Sequence, residues 1–253
     1  LEVMVAEACE GLEGTNAQNI IDEANKNLYD GVTEEDARTS LVMTSRTLVE
    51  QEPNYTYVTA RILLDNIRTE ALSYLGMQKQ ATQKEMEGLY PQALRNFLAK
   101  GVENEILNPE LLEMDIDKLG QAIDSSRDTE FTYLGLQTLY DRYFIHDTEI
   151  RYELPQVFFM RVSMGLALNE ENKEEKAIEF YKLLSSFDYM SSTPTLFNSG
   201  TLHSQLSSCY LTTVPDDLYG IYGAMRDNAM LSKWAGGLGN DWTPVRGMGA
   251  HIK

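Results

Sequence analysis

Apolar positions recur at helical spacing through most of the chain. Thr33 precedes Glu34-Glu35-Asp36, a hydroxyl cap followed by acids in the first turn, and Leu41, Val42 and Leu48 continue the apolar stripe. The turn Tyr29-Asp30-Gly31 comes before that cap, and Pro53-Asn54 punctuates before a helix over residues 55–75. Residues 1–76 thus read as a compact helical module. In the next stretch, Gly88-Leu89-Tyr90-Pro91 and Leu107-Asn108-Pro109 predict breaks. Residues 133–143 predict a helix rich in Leu and Tyr, and residues 144–152 a small hairpin. Pro155 opens a helix carrying Val157, Phe158, Val162, Met164 and Leu166. Residues 172–185 are amphipathic, with Ile178, Tyr181 and Leu184 on one side.

The texture changes near residue 190. Thr193-Pro194-Thr195 and Asn198-Ser199-Gly200 read as loops. Residues 206–214, rich in Leu, Thr and Tyr, predict a strand, and residues 218–234 a helix. Gly236-Gly237-Leu238-Gly239 reads as the helix stop, with residues 240–246 leading into a further strand or loop. Strand, helix, strand is the start of an α/β layout.

Composition narrows the function. A chain of 253 residues that is 43% hydrophobic can bury a core. A net charge of −18 repels phosphate backbones and argues against nucleic-acid binding. A small phosphorylated ligand would depend on backbone N–H groups and helix N-termini. No stretch reaches the ~20 apolar residues of a membrane helix, so no membrane partner is expected. The chain opens without Met and reads as mid-helix, so a truncated N-terminus is expected. Only Cys9 and Cys209 are present, far apart and in no zinc or disulfide spacing, which points to a reducing, cytoplasmic setting. His146, His203 and His251 show no ligand spacing, so no metal site is expected.

Locally, each candidate for chemistry has an ordinary reading. Cys209 reads as a buried strand cysteine, with alternation placing Ser207, Cys209 and Leu211 on one face and Ser208 on the other. Cys9 reads as a helix core residue. The glycine run either stops a helix or lets a ligand approach the backbone. Thr193-Pro194-Thr195 is either a plain loop or a phosphate contact, and Arg246 a solvated cation.

The order and spacing of these pieces are more specific than any one of them. Thr193-Pro194-Thr195-Leu196-Phe197-Asn198-Ser199-Gly200, Gln205-Leu206-Ser207-Ser208-Cys209, Pro215-Asp216-Asp217-Leu218, Lys233-Trp234-Ala235-Gly236-Gly237-Leu238-Gly239 and Pro244-Val245-Arg246-Gly247 together resemble the opening of the catalytic barrel of ribonucleotide reductase large subunits. Ser126-Arg127-Asp128 with Phe131-Thr132-Tyr133 resembles the helical region before that barrel. Tyr29-Asp30-Gly31, Pro53-Asn54-Tyr55-Thr56-Tyr57 and Ala60-Arg61 resemble the second half of an ATP-cone.

The resemblance implies a mainly α fold: a partial ATP-cone over 1–76, a helical N-terminal domain over 77–190, and over 191–253 the first strand-helix units of a ten-stranded α/β barrel, incomplete here and with exposed apolar strand edges. It implies thiyl-radical reduction of ribonucleoside diphosphates, with Cys209 as the first redox thiol. Thr193, Ser208 and Gly237 match substrate-binding positions. Asp216, Asp217, Leu218 and Arg246 match positions at the effector site that sets specificity. The resemblance implies no cofactor bound by this chain. The radical would come from a small (beta) subunit, the large subunit would form a homodimer, thioredoxin or glutaredoxin would be the reductant, and ATP, dATP and other dNTPs would be effectors. Where ATP-binding cones of the family often carry Thr and His, this chain has Glu34 and Arg38, so a degenerate cone is expected. No radical-bearing cysteine is present. The alternative reading is a helical regulatory or protein-interaction module without catalysis.

Overall fold

The computed structural model describes residues 1–233 and 236–251. They divide into two compact units, one of residues 1–190 with 199–202, the other of residues 191–198 with 203–253.

The first unit is helical. Helices α1 (Glu2–Cys9), α2 (Ala17–Asn25), α3 (Glu34–Thr47) and α4 (Tyr55–Tyr74) come first. Polar side chains cap the starts of α2 and α3, whereas α1 and α4 begin without a side-chain cap. The Asn16 Oδ1 accepts the Gln18 N–H at 2.8 Å, and the Thr33 hydroxyl accepts the Asp36 N–H at 3.1 Å. Arg61 on α4 donates to the Ala8 and Glu10 carbonyls, placing a cation at the C-terminal end of α1. Helix α4 is buried on most of its sides, with Val58, Ile62, Leu64, Ile67 and Leu72 out of solvent.

Helix α5 (Gln83–Glu103) begins with a reciprocal capping box between Thr82 and Glu85. It runs straight through the break expected at 88–91. Pro91 removes one N–H from the ladder, but buried Met86, Tyr90, Ala93, Leu94, Phe97 and Leu98 hold the helix on both sides of it. The next helix, α6 (Ile116–Gln121), lies against that proline, where a Cβ on Gly120 would come within 2.9 Å of the Pro91 Cα. The break at 107–109 is real, with Asn108 capping a short 3-10 helix over Pro109–Glu113. Helix α7 (Tyr133–Arg142) and the antiparallel hairpin of β1 (His146–Asp147) and β2 (Ile150–Arg151) follow as expected. Helix α8 (Pro155–Ala167) is buried almost all round and packs on α9 (Lys173–Ser185) and α5.

Two buried polar centres join these helices. The Asp128 carboxylate, fully out of solvent, accepts from Arg68 of α4 at 2.8 Å, Tyr90 of α5 at 2.7 Å and Gln156 of α8 at 2.9 Å. Gln156 in turn accepts from Tyr181 of α9 at 2.8 Å, whose oxygen accepts the Asp124 N–H at 3.0 Å. The second centre is the fully buried pair Glu153–Arg161, with Nε to Oε1 at 2.7 Å. Its spare groups are also matched. Glu153 accepts the Ile145 N–H, and Arg161 donates to the Ser199 carbonyl at 2.7 Å.

Ser199 and Gly200 form a turn, and both are buried in the first unit. The Gly200 carbonyl accepts the Asn108 N–H, and Thr201 bridges Leu107. A Cβ on Gly165 would come within 2.1 Å of the Gly200 nitrogen, so backbone approach needs glycine there.

The second unit contains α10 (Thr193–Asn198), β3 (Cys209–Thr213), α11 (Leu218–Lys233) and β4 (Gly237–Asp241). Three expectations change. Thr193-Pro194-Thr195 opens a short helix, because proline suits its first turn. The glycine run enters a strand, because pairing with β3 gives its N–H groups partners. The strand is shorter than residues 206–214. The expected helix end at Trp234 lies outside the described residues.

Two predictions test the buried centre at Asp128. Asp128→Ala strands the Arg68 charge without its partner, and a loss of about 3–5 kcal/mol in denaturant unfolding is expected; a loss below about 1 kcal/mol would contradict a tying role. Burial pushes the Tyr181 phenol up to about 12, and Tyr90 well above its ordinary value, with Asp128 adding to the Tyr90 shift. Folding therefore favours both neutral phenols. That stability is fully present below the unfolded phenol value of about 10 and is lost as pH rises through the folded values. Thermal melts are expected to hold steady to about pH 9 and to drop between about pH 10 and about pH 12. A Tyr181→Phe variant should show a shallower drop, and equal slopes would remove Tyr181 from the effect.

Candidate functional site

The candidate residues gather at the paired strands of the second unit. Strands β3 and β4 are parallel, in the register Cys209↔Gly237 through Thr213↔Asp241, and α11 makes the crossover between them. Alternation along β3 leaves Cys209, Leu211 and Thr213 exposed and turns Tyr210 and Thr212 inward. Cys209 is therefore an exposed strand thiol, not the buried one expected locally. With one partner strand each among the described residues, β3 and β4 leave apolar side chains in solvent, and Leu211 is 92% exposed.

Ser208, Cys209 and Gly237 come together at the start of this pairing. The Gly237 N–H donates to the Ser208 carbonyl at 2.9 Å, and a Cβ on Gly237 would come within 3.0 Å of that oxygen. Ser208 precedes the first residue of β3, so strand alternation does not set its direction, and its hydroxyl lies 3.5 Å from the Cys209 sulfur. Burial still alternates through this stretch, with Ser207 and Cys209 exposed and Ser208 half-buried.

Thr193 sits at the first position of α10 and is exposed. That helix is tied to the approach to Cys209, since the Thr195 hydroxyl donates to the Leu206 carbonyl at 3.0 Å and the Asn198 amide to the Gln205 carbonyl at 2.7 Å. Gln205 continues the chain of contacts by donating to the Tyr210 hydroxyl at 2.6 Å. Thr195, Asn198 and Gln205 thus position the strand, a role that sequence reasoning missed. The signal available was their place within the same motif run.

A second group forms at the far end of β3. Asp217 accepts the Gly220 N–H at 2.8 Å and so caps the start of α11, where Leu218 is 74% exposed. Asp216 pairs with Arg246, Oδ2 to Nε at 2.8 Å. Arg246 is therefore not a solvated cation but half of an ion pair.

The remaining chemistry is sparse. Cys9 is half buried at the end of α1, with burial the main cause pushing its thiol up. A cavity of about 240 Å³ in the first unit is lined by Glu7, Arg61, Asp65, Arg68 and Gln83, none of them a candidate above. Arg38 is held by Glu34, Asp65 and Asn66. Among the described residues, no group of His, Cys, Asp and Glu has the arrangement of a metal site, and no helix is long and apolar enough to cross a membrane.

Residues 129–204 match the family model described as the ribonucleotide reductase all-alpha domain, and residues 207–253 match the ribonucleotide reductase barrel domain. The chain is 49% identical over 251 residues to the ribonucleoside-diphosphate reductase subunit alpha of Chlamydia muridarum, covering 98% of this chain and 23% of that protein. It is 34% identical over 248 residues to the subunit alpha of Helicobacter pylori, covering 97% of this chain and 30% of that protein. With the large subunit of Vaccinia virus the identity is 33% over 233 residues, 89% of this chain and 28% of that protein. The chain thus spans less than a third of the length of these relatives. It belongs to the ribonucleotide reductase large-subunit family.

Proposed function

We propose that these residues contribute to a class I ribonucleoside-diphosphate reductase the first redox thiol, one wall of the substrate site and one wall of the effector site. The observation that carries this reading is the cluster of exposed Cys209 with Ser208 and the side-chain-free Gly237 at the β3–β4 pairing.

In the proposed reaction, a ribonucleoside diphosphate and two thiols give a deoxyribonucleoside diphosphate, a disulfide and water. The 2′ carbon–oxygen bond breaks, the oxygen leaves as water, and a hydrogen takes its place. Cys209 supplies one of the two sulfurs. An exposed thiol is suited to this, since both the second sulfur and an external dithiol must reach it. Thioredoxin or glutaredoxin would restore the thiols, and a radical-generating small subunit would start each turnover. The sequence holds two cysteines, and half-buried Cys9 belongs to the other unit. The reading therefore assigns the second redox thiol and the radical-bearing cysteine to residues outside these 253.

Thr193, Ser208 and Gly237 would face the substrate. In a chain of net charge −18, a diphosphate is better held by hydroxyls and backbone N–H groups than by a general positive field. Asp216, Asp217, Leu218 and Arg246 would face a nucleotide effector, in a homodimer working in the cytoplasm. The cone-like residues 1–76 would be a poor ATP site. Glu34 opposes a triphosphate, and Arg38 is already engaged by Asp65 and Glu34.

Two measurements test this reading. In a full-length enzyme containing these residues, Cys209→Ser should abolish dithiol-dependent multiple turnover while leaving nucleotide affinity within about threefold, because serine is nearly isosteric yet forms no disulfide. Near-normal turnover would remove Cys209 from the mechanism. Titration calorimetry with ATP should give no micromolar site that depends on residues 29–38, and finding one would overturn the degenerate-cone reading.

A further inference from the structure

Arg246 is held by several hydrogen bonds at the surface of the second unit. Its Nε donates to the Asp216 Oδ2 at 2.8 Å, and its backbone N–H to the Asp216 Oδ1 at 3.2 Å. Its Nη2 reaches the Asp216 carbonyl at 3.3 Å, and its Nη1 the His251 carbonyl at 2.8 Å. Asp216 therefore engages this arginine through both carboxylate oxygens and its own main chain. Neighbouring Asp217 does not share the task, since its carboxylate caps α11 at the Gly220 N–H.

The geometry points to a built-in competitor: the Asp216 carboxylate occupies the Arg246 guanidinium in the way a ligand phosphate would, so an anionic effector binds there only by displacing it. This rests on the reading of Arg246 as an effector contact. A guanidinium presents its N–H donors in a fixed fork that suits carboxylate and phosphate alike. Both ligands seek the same donors, so they exclude one another. The pair is accessible enough for exchange, with side-chain exposures of 41% for Arg246 and 34% for Asp216. An exposed pair of this kind is weak, so displacement is feasible but not free. The consequence is selectivity for charge. A polyphosphate, with several negative charges near the guanidinium, wins against one carboxylate, whereas a singly phosphorylated ligand gains little over it.

The probe is inorganic tripolyphosphate, which carries the anionic groups of a nucleoside triphosphate without its sugar or base. Binding to the full chain is measured by titration calorimetry at low salt, with circular dichroism to verify folding. Asp216→Asn keeps the hydrogen-bond acceptor for the Arg246 backbone and removes the charge. It is expected to tighten tripolyphosphate binding about threefold to tenfold. Asp216→Ser repeats the test with a smaller acceptor and should change binding in the same direction. Arg246→Ala should abolish the site. If Arg246→Ala weakens binding while neither Asp216 variant tightens it, the competition is refuted and the effector reading stands. If Arg246→Ala binds as the parent does, or if no variant binds the probe, the effector reading of Arg246 fails and takes the competition with it.

Discussion

The helical unit depends on one buried carboxylate. Asp128 comes from a short 3-10 segment, yet it receives donors from α4, α5 and α8. A charge with no solvent contact is tolerated only when it is paired and its lone pairs are filled. Arg68 supplies the opposite charge, and Tyr90 and Gln156 supply the remaining bonds. Because every partner lies on a different helix, the carboxylate fixes how those helices meet. Apolar packing alone does not specify this, since it is non-directional. Gln156 then passes the constraint to α9 through Tyr181.

Glu153 and Arg161 do the same for the chain that leaves α9. The Ser199 carbonyl ends on the Arg161 guanidinium, and the Ser199 hydroxyl on the Val162 carbonyl. Gly165 lets that backbone lie directly on α8. The strap over residues 199–202 is thus part of the helical unit, although its neighbours on both sides belong to the strand-bearing one. A loop with buried backbone groups needs such partners for each of them.

In the strand-bearing unit, backbone geometry dominates and side-chain charge plays a smaller part. Parallel pairing brings Gly237 beside Ser208 and Cys209, and the absent Cβ makes room for that approach. The thiol faces outward because strand alternation places it with Leu211 and Thr213. At the other end of β3, two adjacent acids take different tasks. Asp217 stabilises a helix start, while Asp216 holds Arg246.

The sequence by itself determined the features that depend on near neighbours. The Thr33 cap, the helices from residues 55 and 155, the hairpin near 146 and each single motif between Thr193 and Arg246 rest on residues within a few positions of one another. Those motifs also sufficed to identify the family. What only the tertiary structure decided involved distant partners. Pro91 stays inside a helix because buried residues on both sides outweigh one missing hydrogen bond. The glycines after α11 join a strand because β3, far back in the chain, offers their N–H groups acceptors. Asp128 was visible in sequence only as part of a motif, since its donors lie between 28 and 60 residues away. Local pattern encodes turns, caps and faces. The burial of a charge, and the exposure of a thiol, depend on which remote segments arrive to cover them.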